Sequence, residues 1–395
     1  MKKVLELRFW ALYLTVFTLP MFMRLNNIFL GIFVLLGLAS LIFDYKSWDI
    51  SNFWKSWPVF SFFILAVFGS FYGAELWEGF KYLERYWSFI LVPFVIMGEK
   101  DKYSERRKQI FMALVWGSLA TLIICYGNVI YEMVTRNEPL HYFFRWRHVN
   151  HRFTNIADIH PTYLGVFIVT AIIFLIHHKG DRPYLRYATI LFLLIGLFQL
   201  ASRVALLMLL VLVGYFLLMR IAKYRFQSIF ILLGLILCLV VFNKIGSSYL
   251  KQRLFTKEAI VDDKRFERWD ASYQIFKENP FMGVGFAKIE EMRNQKYIDF
   301  GFDEAARNDL NAHNQFLELL SRNGAIGGFV YVCSLGFLLL LSMYRRDYLF
   351  SLIFFAFILA NVTESMLVRI KGIEFFAVFA TLFLCGVNPK RLEKE

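Results

Sequence analysis

The sequence predicts an all-α fold, a polytopic bundle of about twelve membrane-spanning helices with one large outer segment that contains helices of its own. Three observations lead there. Of 395 residues, 58% are hydrophobic and 19% aromatic, with a mean hydropathy of +0.50; an ordinary soluble domain has about 45–50% apolar residues. Apolar runs of membrane-crossing length recur along most of the chain, separated by short polar connectors. Lysines and arginines gather on alternate connectors, as the positive-inside rule requires of a multi-pass protein.

The spans follow from a ruler of about 20 apolar residues, fewer where flanking polar groups snorkel. They fall near 9–23, 25–43, 58–73, 85–98, 110–133, 161–178, 184–200, 203–221, 226–245, 325–344, 347–362 and 372–388. The opening "MKKVLELRFWALYLTVFTLPMFM" has the basic start and apolar run of a signal peptide. It lacks a small-x-small cleavage site and a second apolar run follows at once, so it is expected to stay as the first span.

From Arg186 to Arg220 the chain is almost unbroken apolar sequence. As one helix it would be roughly 50 Å long at about 1.5 Å per residue, against a hydrocarbon core of about 30 Å. It would also bury Arg203 near the bilayer centre at a cost of about 3 kcal/mol or more. A turn at Ala201-Ser202-Arg203 avoids both.

Twelve spans with an inner N-terminus place both termini in the cytoplasm. The basic connectors "GEKDKYSERRK", "HHKGDRPYLR", "RIAKYR" and "YRRD" then all face inward. Residues 1–245 form the first nine spans, with an outer segment at 135–160. Residues 246–312 form a large periplasmic loop, and 313–395 an edge helix and the last three spans. Within the loop, "FERWDASYQIFKENP" reads as an amphipathic helix ended by Asn279-Pro280, and "FMGVGFAKIEEM" as a glycine-marked turn into another helix.

The formal net charge of +13 does not point to nucleic acid, because no basic, aromatic-studded soluble module accompanies it. Cys125, Cys238, Cys333 and Cys385 all lie in apolar runs. Neither disulfides nor a CxxC metal site is expected. No HxxxH or HExxH spacing, Walker loop or DxD motif occurs, so neither a zinc site, an ATPase nor a nucleotide-sugar donor is indicated.

Chemistry is expected where polar residues meet the outer membrane edge. In "NAHNQFLELLSRNGAIGGF", His313 and Asn314 stand at the mouth of an apolar helix. Phe316, Leu317 and Leu320 follow at helical spacing from His313, with Glu318, Ser321 and Arg322 off that face, and Asn323-Gly324 breaks the helix. His313 is either an interfacial cap or a general base. Arg203 is either a snorkelling anchor or a site residue. Arg265 and Arg268 are either a solvated face or a grip on phosphate oxygens. His160, before Pro161, either caps a span or lines the site. The segment "HYFFRWRHVNHRF" (His141, His148 and His151 among it) reads as an interfacial aromatic belt or as a contact for acidic head groups. Glu364, Arg369 and Lys371 are expected to pair among themselves.

Three stretches, in order, resemble the O-antigen ligase and polymerase superfamily of bacterial membrane glycosyltransferases. They are "SRVALLML" at Ser202–Leu209, "RFERWDASYQIFKENPFMGVGF" at Arg265–Phe286 and "HNQFLELLSRNGAIGG" at His313–Gly328. "HPTYLG" at His160–Gly165 and "ESMLVRIKGIEFF" at Glu364–Phe376 look like branch features of the same family. The resemblance covers roughly residues 150–390, and the first four spans only in topology.

It implies a glycan donor carried on undecaprenyl diphosphate and, in the ligases, a lipid A–core acceptor, with no metal and no cofactor. Carried over, Arg203 and Arg265 bind the diphosphate, with Arg268 a second phosphate contact. His313 orients or deprotonates the acceptor hydroxyl, and Asn314 holds an oxygen or supports the loop. Attack from the face opposite the leaving group would invert the anomeric centre. The ligase reading is the favoured one. A polymerase of lipid-linked repeats or a protein O-glycan ligase would use the same donor head group. A flippase without chemistry would be expected to show inverted repeats, and none is visible.

Overall fold

The computed structural model describes residues 2–43, 48–72, 76–178, 182–220 and 264–386. Among these residues all regular structure is helical, α or 3₁₀, with no strand. Each expected span that falls within the described residues overlaps a helix, with shifted ends: the first helix stops at Thr18 and not at 23. The span expected at 226–245, Cys238, and residues 246–263 of the expected outer loop lie outside the described residues.

Four helices are long and apolar enough to cross a membrane: Met23–Ile42, Ile50–Phe71, Arg107–Thr135 and Gln315–Tyr344. A fifth is added if His151–Ala157 and Pro161–His177, bent by 78°, make one span. Side chains such as Leu210, Phe329 and Leu340 on these and neighbouring helices are well exposed. Apolar exposure of that kind suits a lipid-facing surface, as in a multi-pass membrane protein.

The chain forms two compact units. The first comprises Met1–Leu19, Arg24–Ala113 and Lys264–Glu395; the second comprises Pro20–Met23 and Leu114–Asp263. In the first, helix Ile370–Leu384 is buried at every position from Lys371 to Leu384. A helix apolar on all sides belongs at the centre of a bundle. Phe376 packs there against Phe62, at 5.6 Å between ring centroids, and Phe357, at 5.3 Å. Lys371 Nζ donates to the Leu19 carbonyl at 3.0 Å. Near the other end of this unit Arg8 pairs with Glu99, and Arg107 with Asp347 at 3.0 Å.

The helix Gln315–Tyr344 is broken at Gly324 (φ 61°, ψ −156°), where Asn323-Gly324 predicted a break. A second turn fits into the gap. Ala325 N–H donates to the Pro280 carbonyl at 2.7 Å and Val284 N–H to the Ser321 carbonyl at 3.1 Å. A β-carbon on Gly283 would fall 2.4 Å from the Arg322 carbonyl carbon, and one on Gly324 2.3 Å from that of Phe281. Both glycines also have positive φ, so glycine is required twice over. The two segments "NPFMGVG" and "RNGA" are thus one interlocked structure.

In the second unit, Pro161–His177 is buried from Pro161 to Leu175 and is the central helix. Beside it the long apolar run divides into helices Pro183–Gln199 and Arg203–Arg220. The break has Ala201 at φ 45°, and Arg203 is the first residue of the second helix. The predicted relief of an overlong helix is what the chain adopts.

Candidate functional site

His313 departs from the expected helix face. It precedes the helix, with φ 48°, and its N–H donates to Asn311 Oδ1 at 3.1 Å. Asn314 is the N-cap, its Oδ1 accepting from Leu317 N–H at 3.1 Å. Capping therefore falls to Asn314, and the His313 ring is free of that duty. It is 18% exposed, and its Nδ1 lies 3.1 Å from Glu364 Oε2. The two atoms are close, but the geometry is not that of an aligned hydrogen bond.

The other oxygen of Glu364 lies 3.7 Å from Arg265 Nη2. One carboxylate, nearly buried at 7% side-chain exposure, thereby faces both a histidine and a guanidinium. Arg265 opens the helix Arg265–Glu278, which ends at the predicted Asn279. Arg268 follows three residues later, on the same face, with its guanidinium 5.8 Å from the Phe302 ring centroid.

What fixes His313 is a buried ionic cluster. Glu318, with no exposed surface, accepts from Ala312 N–H at 2.9 Å and from Arg293 Nη2 at 3.0 Å. Arg322 Nε lies 2.6 Å from the same carboxylate, and Arg322 Nη1 donates to Tyr86 Oη at 3.3 Å. A carboxylate taken out of water is tolerable only with such partners. Behind the loop, Tyr297 Oη donates to the Leu310 carbonyl at 3.0 Å. Burial pushes its phenol up to about 12, so it remains a neutral donor.

Sequence reasoning missed Glu318 as a partner and grouped Glu364 only with Arg369 and Lys371. Two charges at i and i+4 within an apolar helix, Glu318 and Arg322, were the available signal. Nothing local pointed from His313 to Glu364.

Arg203 and His160 belong to the second unit. The turn before Arg203 is held by amides. Gln199, fully buried, donates through Nε2 to the carbonyls of His148 at 2.7 Å and Phe143 at 3.1 Å. Asn150 returns a backbone bond to the Gln199 carbonyl at 3.2 Å and a side-chain bond to that of Leu200 at 2.8 Å. Ser202 Oγ accepts from Ala205 N–H at 3.4 Å, leaving Arg203 half-buried at the helix start.

His160 is the N-cap of Pro161–His177, Nδ1 accepting from Thr162 N–H at 3.2 Å. That bond puts the neutral ring's proton on Nε2. Its ring centroid lies 4.4 Å from that of His151. His148, in the segment read as an interfacial belt or a head-group contact, is buried against Glu138 at 2.9 Å. Arg152 and Arg147 do stack on Trp146, at 3.8 and 5.3 Å.

Among the described residues no three His, Cys, Asp or Glu side chains gather as a metal-ligand group. A histidine backed by a carboxylate beside a guanidinium can take a proton while a neighbouring charge stabilises an anion. A family model described as O-antigen ligase matches residues 188–332, a stretch that takes in Arg203, Arg265, Arg268, His313 and Asn314 but neither His160 nor Glu364. No curated protein matches the chain.

Proposed function

Because the chain contains an O-antigen ligase family domain, we propose that it transfers a glycan from undecaprenyl diphosphate to a hydroxyl of lipid A–core, at the periplasmic face of the bacterial inner membrane. The observation that carries this reading is the shared carboxylate: Glu364 contacts both His313, at 3.1 Å, and Arg265, at 3.7 Å. The acceptor oxygen attacks the anomeric carbon as the bond from that carbon to the diphosphate oxygen breaks. His313 Nε2 receives the hydroxyl proton, and Glu364 steadies the imidazolium that results. Arg265 meets the charge that gathers on the departing diphosphate.

Arg203 and Arg268 carry over from the resemblance as further diphosphate contacts, and His160 as a lining residue. Asn314 acts indirectly, by capping the helix that follows His313. Twelve spans, cytoplasmic termini and a periplasmic segment at 246–312 complete the proposal. Attack opposite the leaving group inverts the anomeric centre; NMR of the product linkage against the donor linkage tests this, and retention would exclude direct displacement.

A strain lacking the protein, complemented with wild type or His313→Ala, tests the reading as a whole. Lipopolysaccharide is resolved on gels and lipid-linked glycan measured by mass spectrometry. The expected result is lipid A–core without glycan and accumulating lipid-linked polymer in the H313A strain. Lipid A–core capped by a single repeat unit would mean a polymerase. Unaltered lipopolysaccharide in the H313A strain would remove the catalytic role of the histidine.

A further inference from the structure

His313 and Glu364 come from two irregular segments. His313 lies in the loop before its helix, at φ 48°. Glu364 is extended (φ −144°, ψ 149°), just after the helix Tyr348–Thr363. Glu364 keeps one bond to its helix, its N–H donating to the Ala360 carbonyl at 3.0 Å, but the chain beyond it leaves the helix. His313 precedes its own helix altogether. The two side chains must nonetheless meet closely for a carboxylate to serve an imidazole.

Both segments are fastened to the first turn of a single helix. Gln315 Oε1 accepts from Leu367 N–H at 2.7 Å, across 52 residues of sequence, three residues beyond Glu364. Glu318 Oε2 accepts from Ala312 N–H at 2.9 Å, next to His313. Gln315 and Glu318 have no exposed surface and stand three residues apart, on one helix face. The two bonds form a clamp: one jaw holds the Glu364 segment and the other the His313 segment. The arms differ in chemistry. Glu318 belongs to an ionic cluster on which the local fold depends, whereas Gln315 is neutral and makes one long-range bond. An amide there takes a backbone N–H without placing a further negative charge beside Glu318.

Building on the transferase reading above, we infer that Gln315 is a positioning residue of the reaction. It sets where the Glu364 carboxylate stands relative to the His313 ring, and it touches no substrate itself. Displacement of a catalytic group by about 1 Å is enough to slow a reaction by about 100-fold, and the Gln315–Leu367 bond opposes such a displacement on the side of Glu364 that leaves its helix.

Purified protein in lipid nanodiscs, with a synthetic undecaprenyl-diphosphate disaccharide as donor and lipid A–core as acceptor, provides the test. Gln315→Met keeps the length and apolar body of the side chain and removes the acceptor oxygen. The expected result is a kcat lower by about 10- to 100-fold with KM for both substrates unchanged. Because Gln315 acts through Glu364, Q315M added to Glu364→Gln should slow the reaction no further than E364Q alone.

Thermal unfolding with and without undecaprenyl diphosphate is measured alongside. Protection equal to that of wild type shows that Q315M is folded and binds the diphosphate. A Q315M enzyme with wild-type kcat, losses that multiply in the double variant, or a Q315M protein without a protected unfolding transition would each overturn the inference. H313A serves as the control on the parent reading. An inactive H313A with a normal Q315M removes only the clamp, while a fully active H313A removes the transferase chemistry beneath it.

Discussion

The loop carrying His313 and the turn carrying Arg203 face the same structural problem and answer it with different chemistry. Each is a short irregular segment at a helix start, and each must hold a polar side chain at a fixed place. The His313 loop is held by charge: Glu318 lies fully buried between Ala312 N–H, Arg293 and Arg322. The Arg203 turn is held by neutral amides: Gln199 and Asn150 exchange hydrogen bonds with carbonyls of the opposite segment. Removing one partner of a buried ion pair strands the others and costs about 3–5 kcal/mol. A neutral hydrogen bond is worth about 1 kcal/mol net, and about 1–3 when a buried partner is left unsatisfied. The first region should therefore fail all at once and the second by degrees.

The largest effect is expected from Glu318→Gln. The amide replaces a carboxylate facing two guanidinium groups, and about 3–5 kcal/mol of stability should be lost. Thermal unfolding in detergent would show a much lower midpoint or no folded protein. A drop of under about 1 kcal/mol would mean that water, not Glu318, satisfies Arg293 and Arg322, and the contrast between the regions would collapse.

Next comes Glu364→Gln, which separates function from stability within the first region. Its partners His313 and Arg265 are 18% and 27% exposed and can turn to water. Turnover should fall by about 100-fold, equivalent to about 2.7 kcal/mol of barrier, with the unfolding midpoint nearly unchanged. Equal loss of turnover and stability would make Glu364 part of the scaffold instead.

The sequence made some of this contrast legible and hid the rest. The break before Arg203 followed from an apolar run too long for a bilayer with an arginine at its middle. The break at Gly324 and the helix end at Asn279 followed from turn chemistry. In each case the cause lies within a few residues. His313 and Glu364 instead lie on segments far apart in sequence that Gln315 ties together by reaching Leu367 across 52 residues, and no periodicity records such a pairing. Arg293 reaches Glu318 across 25 for the same kind of reason. His148 misled in the other direction: its aromatic, basic neighbours suggested a surface belt, while Glu138 and Gln199 draw it inside.

A smaller effect is expected from Gln199→Leu in the second region. The substitution keeps the volume but removes the donor to two carbonyls, and should cost about 1–3 kcal/mol while leaving a folded protein. Asn150→Ala should couple to it, since both side chains brace residues 199–201. Strictly additive losses from the pair would mean that the two amides act as separate contacts and not as one brace.

The smallest effect lies at the edge of that brace and carries a definite sign. Glu138 Oε2 meets His148 Nε2 at 2.9 Å, and this hydrogen bond holds the Glu138 carboxyl below its usual value near 4.5. Glu132, paired with Arg136 at 3.8 Å, faces the same ring at 4.0 Å. A carboxyl whose folded value is depressed adds stability that is fully present above its ordinary range and is lost as pH falls through the lowered value. Glu138→Gln removes that titration. Unfolding midpoints of wild type and E138Q in detergent should therefore differ most near neutral pH, with wild type higher, and draw together below about pH 4.5. Since His148 also supplies the carbonyl that Gln199 grips, the same acid shift should shrink in a Q199L background. Parallel curves for wild type and E138Q at all pH values would detach Glu138 from the brace and leave the Arg203 turn resting on its amides alone.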